Sequence, residues 1–87
     1  MYLYLIQSKK DLSFYIGTTT DLQRRLKEHN AGLSTSTKHK TPWVLIYVEW
    51  YRSKKDTLMR ELRLKKHKGG WRKMKERIEN SILSEQN

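Results

Sequence analysis

The sequence predicts an α+β fold: a small three-stranded antiparallel sheet flanked by helices, in the order β-β-α-β-α-α. Three observations predict it. Two short apolar runs near the start of the chain are separated by a polar turn, a longer apolar run lies in the middle, and the segments between and after these runs have helical spacing. Because 87 residues can bury one modest core, residues 1–87 are expected to form a single domain.

The first two strands are expected to pair as a hairpin. Residues 2–7 (YLYLIQ) and 13–18 (SFYIGT) are rich in aromatic and aliphatic side chains and are joined by a short polar segment. Gly17, late in the second strand, predicts a bulge or a place where another backbone or a ligand comes close. Residues 43–51 (WVLIYVEWY) are the most apolar segment, so we expect them to form the central strand.

Helix starts are predicted where Ser or Thr is followed three residues later by an acid or an amide, as at Thr20 and Ser53. We expect the first helix to end near Asn30 or Gly32. The second should end near Lys68, because the glycine pair 69–70 interrupts the helical pattern. A third helix is expected to follow that pair. Its apolar face is formed by Trp71, Met74, Ile78 and Ile82.

Helical projection of the first helix separates two neighbouring arginines. Arg25 falls on the same stripe as the core-facing leucines, whereas Arg24 points elsewhere. A guanidinium at the edge of an apolar face needs an anion. It therefore serves a functional anion, or else it turns outward or pairs with Asp21 or Glu28. His29 lies one turn further along this stripe, where a lone histidine is more often a hydrogen-bonded structural residue than an acid or a ligand.

The charge distribution favours a polyphosphate partner. Nineteen Lys and Arg against nine Asp and Glu give a net charge of +10, and residues 51–87, with twelve bases and five acids, contribute +7 of it. A solvated basic face is the alternative interpretation. A membrane partner is not expected, since the apolar stripe is narrow enough to be used by a core. The absence of cysteine, of a long apolar run and of a signal-peptide layout predicts a cytoplasmic protein.

Glu61 is one of only two acids among the nine bases of residues 60–77, and on a helical wheel it lies between Leu58 and Leu64 at the border of the buried face. A salt bridge to Lys65 is the structural interpretation. The functional interpretation is a carboxylate ligand for one hard divalent cation, together with waters and a substrate phosphate. No second carboxylate has a comparable position, so a two-metal site is not supported.

Two tyrosines of the predicted hairpin, Tyr4 and Tyr15, are ambiguous by themselves because aromatic residues in strands commonly serve packing. A phenol has a pKa of about 10, so it acts as a base at neutral pH only beside a cation that lowers this pKa. Arg25 or a metal ion at Glu61 could supply that charge.

The run FYIGTTTDLQRRLKEH (14–29) resembles the second signature of the GIY-YIG nuclease superfamily. In that family a Tyr-Ile-Gly strand end is followed by a helix with the catalytic arginine, and here Arg25 lies eight residues after Gly17. In the first signature only Tyr4 is retained in type, since Tyr2-Leu3-Tyr4 stands where Gly-Ile-Tyr is usual. The glutamate that binds metal in the family corresponds to Glu61. The chain is most similar to small stand-alone bacterial members and to the N-terminal nuclease domain of excision-repair endonucleases.

The resemblance implies an endonuclease that hydrolyses DNA phosphodiester bonds with one Mg²⁺ or Mn²⁺ ion at Glu61. Arg25 would stabilise the transition state, Tyr4 or Tyr15 would position or deprotonate the attacking water, and His29 would assist. Basic residues of the last two helices are expected to contact the nucleic-acid backbone. These are Lys65, Lys66, Lys68, Arg72 and Lys73.

A non-catalytic nucleic-acid-binding module of the same fold is the alternative. Several family members have an asparagine 12 to 15 residues after the metal glutamate, where this chain has Lys73 and Glu76, and Thr18 stands where the excision-repair nucleases often have lysine. The resemblance also implies weak sequence specificity, because isolated domains of this family commonly take their specificity from an appended DNA-binding domain and this chain is expected to have none. A role in DNA repair or recombination, RNA as an alternative substrate and a targeting partner protein are further expectations.

Overall fold

The computed structural model describes residues 1–85 and confirms the predicted α+β class and the order β-β-α-β-α-α. A short 3-10 turn, Lys38–Lys40, precedes the third strand. The strands and helices are β1 Tyr2–Ser8, β2 Phe14–Thr19, α1 Leu22–Asn30, β3 Trp43–Trp50, α2 Lys54–Lys66 and α3 Lys68–Arg77. Within residues 1–85, none of these helices combines the length and the apolarity that crossing a bilayer requires.

The sheet is antiparallel, with β1 at its centre and β2 and β3 at its edges. The prediction that residues 43–51 form the central strand is therefore wrong. Residues 3–8 of β1 are all buried, because helices cover both faces of that strand. In β3, by contrast, Val48 and Trp50 are exposed. Apolar content alone did not separate the two strands, since an edge strand with large aromatic residues is as apolar as a central one.

The two faces of β1 belong to two different cores. Leu3 and Leu5 point to one face, where they pack with Leu64 of α2 and Met74 of α3. Tyr4 and Ile6 of the same strand point to the opposite face. The residues that pack there are Tyr15, Leu22, Leu26, Trp43 and Leu45, of which two belong to α1. The sheet thus lies between α1 on one side and the α2–α3 pair on the other.

The helix starts agree with the sequence only in part. The second helix begins as predicted, since the Ser53 hydroxyl accepts a hydrogen bond from the Asp56 backbone N–H at 3.3 Å. The first helix begins later than predicted, because Asp21 rather than Thr20 caps it. The Asp21 carboxylate accepts a hydrogen bond from the Arg24 backbone N–H at 3.1 Å. A carboxylate at this position also interacts favourably with the positive end of the helix dipole.

The break between α2 and α3 falls at His67, so the predicted break at the glycine pair 69–70 is wrong. Both glycines lie in the first turn of α3, where the backbone N–H groups have no intrahelical acceptor and helix propensity matters less. The third helix is also shorter than its apolar stripe. It ends at Arg77, and Ile82 packs against the core from the segment that follows.

A network of side chains around Glu49 joins α2 to β3. The Arg60 guanidinium donates to both carboxylate oxygens of Glu49, from Nε at 2.9 Å and from Nη2 at 3.0 Å. The hydroxyls of Tyr47 and Tyr51 donate to the same carboxylate at 2.5 and 2.6 Å. Burial raises the pKa of Glu49, but Arg60 and the two phenols outweigh it and hold that pKa below its usual value. A bidentate pair of this kind fixes orientation as well as distance.

Gly17 permits a close approach, as the sequence predicted, but the group that approaches is the Tyr4 side chain and not a backbone or a ligand. The register pairs Gly17 with Tyr4 of β1, and a Cβ atom at position 17 would overlap the Tyr4 hydroxyl and ring carbons. The bulge in the sheet lies elsewhere, between Leu5 and Ile6 opposite β3. The glycine therefore leaves the space across β2 that the Tyr4 ring occupies.

We expect Gly17→Ala to destabilise the protein by about 1–3 kcal/mol, because the added methyl group must displace a buried ring. The measurement is the free energy of unfolding in urea. Gly69→Ala is the matched control: nothing lies within 4 Å of its Cβ position, so it should leave stability unchanged or raise it slightly. Equal stabilities of the two variants would show that the Tyr4 ring does not depend on the missing side chain.

Candidate active site

A chain of hydrogen bonds runs from the sheet through α1 to the loop before β3. The Tyr4 hydroxyl lies 2.8 Å from Nε2 of His29, and Nδ1 of His29 lies 2.7 Å from the Thr37 hydroxyl. The backbone carbonyl of Thr37 in turn accepts a hydrogen bond from the Trp43 indole N–H at 2.9 Å. Tyr4, His29 and Thr37 are all buried, so each polar atom of this chain needs the partner that it has.

His29 is neutral in this environment. Burial lowers its pKa from the ordinary value, and the positive charge of Arg25 lowers it further, while Glu28 acts in the opposite direction. A neutral imidazole has one donor and one acceptor nitrogen, and the hydroxyls of Tyr4 and Thr37 can each act in either sense. The ring can therefore exchange a proton with the Tyr4 hydroxyl without leaving its position.

Arg25 reaches from α1 towards the same phenol. Its guanidinium forms an ion pair with Glu28 at 3.1 Å, which is one of the two partners that the sequence suggested. Burial raises the pKa of Tyr4, and the nearby Arg25 charge opposes this rise without overcoming it. The phenol therefore keeps its proton at neutral pH.

Glu61 approaches the phenol from α2. Its carboxylate raises the pKa of Tyr4, which is the direction that a nearby negative charge imposes. The salt bridge that the structural interpretation of Glu61 predicted is present, with Nζ of Lys65 3.2 Å from the Glu61 carboxylate. The helical wheel predicted that Glu61 lies between two leucines at the border of the buried face of α2. In the structure only one of these leucines is buried: Leu64 is buried, whereas Leu58 is exposed.

Tyr15 is half-buried and completes the group. Its ring stacks edge-on against His29, with centroids 5.1 Å apart, and lies 6.4 Å from the ring of Tyr4. On its other side it lines a shallow hollow together with Lys65 and Trp71. Tyr4, Tyr15 and His29 thus form one group of rings, and the charges of Arg25 and Glu61 both act on the Tyr4 phenol, so all five residues that the sequence singled out belong to one region.

The five basic residues expected to contact a nucleic-acid backbone are all exposed, at the end of α2 and along α3. Lys65 is the one nearest the Tyr4 cluster, because it pairs with Glu61 and lines the hollow beside Tyr15. A cation–π contact, with the Lys75 ammonium 5.4 Å from the Trp71 ring, anchors a further basic residue on α3. The remaining expected contacts are Lys66, Lys68, Arg72 and Lys73.

The donor atoms around Tyr4 suit a metal ion that keeps most of its waters. Among residues 1–85, no group of three or more His, Asp and Glu side chains is placed to hold an ion. Mg²⁺ is commonly bound through one carboxylate, several waters and a substrate phosphate. Glu61 fits that kind of site, and a cage made by the protein alone does not fit.

The sequence indicated no site role for two residues of this region, Thr37 and Asn30. Thr37 lies in a polar loop, and nothing local indicates that its hydroxyl is buried against His29. Asn30 ends α1 and forms two hydrogen bonds with the Trp43 backbone, donating at 3.0 Å and accepting at 2.6 Å. Both contacts join segments that are distant in sequence, so no spacing pattern could have revealed them.

The lowered pKa of His29 predicts a loss of stability in mild acid. The unfolded chain binds a proton at an ordinary histidine pKa of about 6.5, whereas the folded chain resists protonation until a lower pH. The free energy of unfolding should therefore fall as the pH drops below about 6.5. Urea unfolding at about pH 7.5 and about pH 5.5 measures this change.

His29→Gln should reduce the pH-dependent loss, because glutamine retains hydrogen-bonding groups but does not titrate. The control is His67→Gln, since His67 is exposed at the break between α2 and α3. It should leave the pH-dependent loss unchanged. If wild type and His29→Gln lose the same free energy between the two pH values, His29 is not the group responsible.

Comparison of the sequence with known proteins finds several relatives of this chain. A UPF0213 protein of Streptococcus pneumoniae serotype 4 is 40% identical over 68 residues, which are 77% of this chain and 68% of that protein. A UPF0213 protein of Halobacterium salinarum is 42% identical over 65 residues, covering 74% of this chain and 83% of the relative. No solved structure matches the chain. Residues 1–76, which include all five residues around Tyr4, match the GIY-YIG catalytic domain, and the chain therefore belongs to that family.

Proposed function

We propose that this chain is a divalent-metal-dependent endonuclease that hydrolyses phosphodiester bonds of DNA. The observation that carries the proposal is the Tyr4–His29 hydrogen bond at 2.8 Å, with Arg25 of α1 and Glu61 of α2 close enough for their charges to act on the phenol. Membership of a nuclease family supports the reaction class. The net charge of +10 supports a polyphosphate substrate.

Tyr4 is the proposed proton acceptor for the attacking water. Because the pKa of Tyr4 is raised, its phenolate is unavailable at neutral pH. Tyr4 can therefore take a proton from water only if it passes its own proton to another group at the same time. His29 Nε2, at 2.8 Å, is the group that can receive it. In this step water gives a proton to the Tyr4 oxygen, Tyr4 gives its own proton to His29, and the resulting hydroxide attacks phosphorus. Thr37 holds the imidazole in line throughout.

Arg25 is proposed to stabilise the negative charge that builds up on the phosphoryl oxygens. A guanidinium held at the edge of a buried cluster is oriented before the substrate arrives, so little reorganisation is needed. In the structure, the Glu28 carboxylate pairs with this guanidinium at 3.1 Å and fixes its direction. Two nitrogens of the planar group remain able to face a phosphate.

Glu61 is the proposed ligand of one Mg²⁺ or Mn²⁺ ion. Such an ion, when bound, polarises the scissile phosphate and assists departure of the leaving oxygen. Lys65 pairs with this carboxylate at 3.2 Å and is largely exposed, so it can turn to a substrate phosphate when the carboxylate takes a cation. This exchange would link substrate contact at Lys65 to ion binding at Glu61.

Lys65, Lys66, Lys68, Arg72 and Lys73 are the proposed backbone contacts. Phosphate contacts position a nucleic acid but do not read its bases, so we propose weak sequence specificity. A cytoplasmic role in DNA repair or recombination, with a partner protein that supplies targeting, is consistent with such a nuclease. RNA would satisfy the same phosphate contacts.

A non-catalytic binding module of the same fold is the second candidate. It is favoured by the local pairing of both key charges, Arg25 with Glu28 and Glu61 with Lys65. Such a module would bind nucleic acid with the same steep salt dependence and would not cleave it. The two candidates therefore differ only in the cleavage assay.

We expect purified protein to nick labelled single-stranded, duplex or branched DNA in the presence of Mn²⁺. Arg25→Ala should slow cleavage by about 10²–10³-fold, the usual effect of removing one charge-stabilising donor. Glu61→Ala should abolish cleavage, because the ion loses its protein ligand. Arg24→Ala is the control, since this arginine is exposed on the same helix, and it should cleave like wild type. Uncleaved DNA with every protein would favour the binding module.

The two tyrosines should differ in their effect on the same assay. Tyr4→Phe removes the hydroxyl that contacts His29 and should slow cleavage by about 10²-fold or more. Tyr15→Phe keeps the ring that stacks on His29 and should slow it by less than about tenfold. Unfolding in urea, measured on both variants, corrects for any loss of folded protein. A larger effect at Tyr15 would transfer the proton-accepting role to it.

A further inference from the structure

An open cleft lies at the β3 edge of the sheet, where residues of β3 and α2 line it and Glu61 does not. Its volume is about 640 Å³. We call it the β3-edge cleft, and its lining includes three arginines and three aromatic residues: Tyr47, Trp50, Tyr51, Arg60, Arg63 and Arg77. None of these residues belongs to the cluster around Tyr4.

Of the three arginines that line the β3-edge cleft, only Arg60 forms an internal ion pair among residues 1–85. Glu49 is the only acid that lines it, and this carboxylate is already occupied by Arg60 and by two tyrosine hydroxyls. Arg63 and Arg77 are exposed and form no ion pair within residues 1–85. Two guanidinium groups are therefore available for an external anion, and the planar guanidinium matches the geometry of a phosphate or a carboxylate.

Trp50 gives the β3-edge cleft an exposed aromatic surface. Its side chain is 60% exposed, whereas Trp43 of the same strand is buried. An indole left in water at the rim of a cationic cleft has no role in either core. Its flat face is suited to stacking with a nucleobase, and such stacking requires a base that is not already stacked in a duplex.

We infer that the β3-edge cleft binds a single-stranded segment of nucleic acid, with an unpaired base stacked on Trp50 and neighbouring phosphates on Arg63 and Arg77. The inference rests on the nucleic-acid substrate of the proposed function and narrows it to strands with unpaired bases. DNA and RNA share the chemistry that the cleft would recognise, since neither stacking nor phosphate binding depends on the sugar.

The position of the cleft relative to Tyr4 suits one continuous strand. Arg60 and Glu61 are neighbours on α2, and they point to the β3 edge and to the Tyr4 cluster respectively. The two sheet edges are separated by two strand spacings, on the order of 10 Å. A strand of a few nucleotides can therefore contact both sites, which would hold an unpaired segment beside the scissile phosphate.

The test is binding of labelled oligonucleotides of about 12 nucleotides in EDTA, so that no metal-dependent cleavage occurs. The probes are single-stranded DNA, single-stranded RNA and duplex DNA of the same sequence. We expect Trp50→Ala to weaken binding of at least one single-stranded probe by about tenfold and binding of the duplex by less than about twofold. Trp50→Phe should restore part of the affinity, because phenylalanine still stacks.

Arg77→Ala should weaken single-stranded binding and also reduce its dependence on salt, because one phosphate contact is lost. Arg24→Ala, which removes an exposed arginine on the far face, controls for net charge. It should have less than about twofold effect. Circular dichroism of each variant shows that the fold is retained, as expected for exposed residues.

Wild-type affinity of Trp50→Ala for both single-stranded probes would overturn the inference, and so would an equal loss on the duplex. If Trp50→Ala instead abolishes a dimer seen by size-exclusion chromatography and leaves nucleic-acid binding unchanged, the surface binds a second copy and the inference is wrong. Because binding is measured without metal, absence of cleavage would overturn the endonuclease and leave this result untouched. Likewise, unchanged binding by Trp50→Ala would overturn this inference and leave the proposed endonuclease activity untouched.

Discussion

The packing of the Tyr4 ring across the bare backbone of Gly17 is the contact on which the candidate site depends. With no side chain at position 17, the phenol extends over β2 and reaches His29 of α1 at 2.8 Å. This hydrogen bond joins the central strand to the helix that also carries Arg25. A displacement of the ring would break this hydrogen bond and move the phenol away from the charges that act on it.

The cluster combines burial with full hydrogen bonding, which is what allows ionisable groups to remain inside a small protein. No buried side-chain polar atom among residues 1–85 lacks a hydrogen-bond partner. His29 stays neutral because it is buried beside a permanent cation, and Tyr4 stays protonated because burial outweighs that cation. The charged side chains, Arg25 with its partner Glu28 and Glu61 with its partner Lys65, are partly exposed, so a phosphate and an ion could reach them.

Local periodicity was sufficient for the order of the elements and for placing Arg25 on the same side of α1 as Leu22 and Leu26, because a helical wheel depends only on positions within one helix. It failed for the central strand, since the burial of β1 on both faces depends on which helices cover it. It also failed for Thr37, whose contact with His29 depends on the path of a whole loop. The pair of Glu49 with Arg60 was also missed, because the two residues lie eleven positions apart on different elements.

The bidentate pair between Glu49 and Arg60 has a consequence for how such sequences diverge. It fixes the rotation of α2 about its own axis, and Glu61, about 100° further round the helix, is aimed by the same rotation. A substitution at position 49 or at position 60 alone would therefore remove this constraint and change the direction of the carboxylate at position 61. Across related chains, positions 49 and 60 should covary as a pair, much as two contacting bases do in a structured RNA.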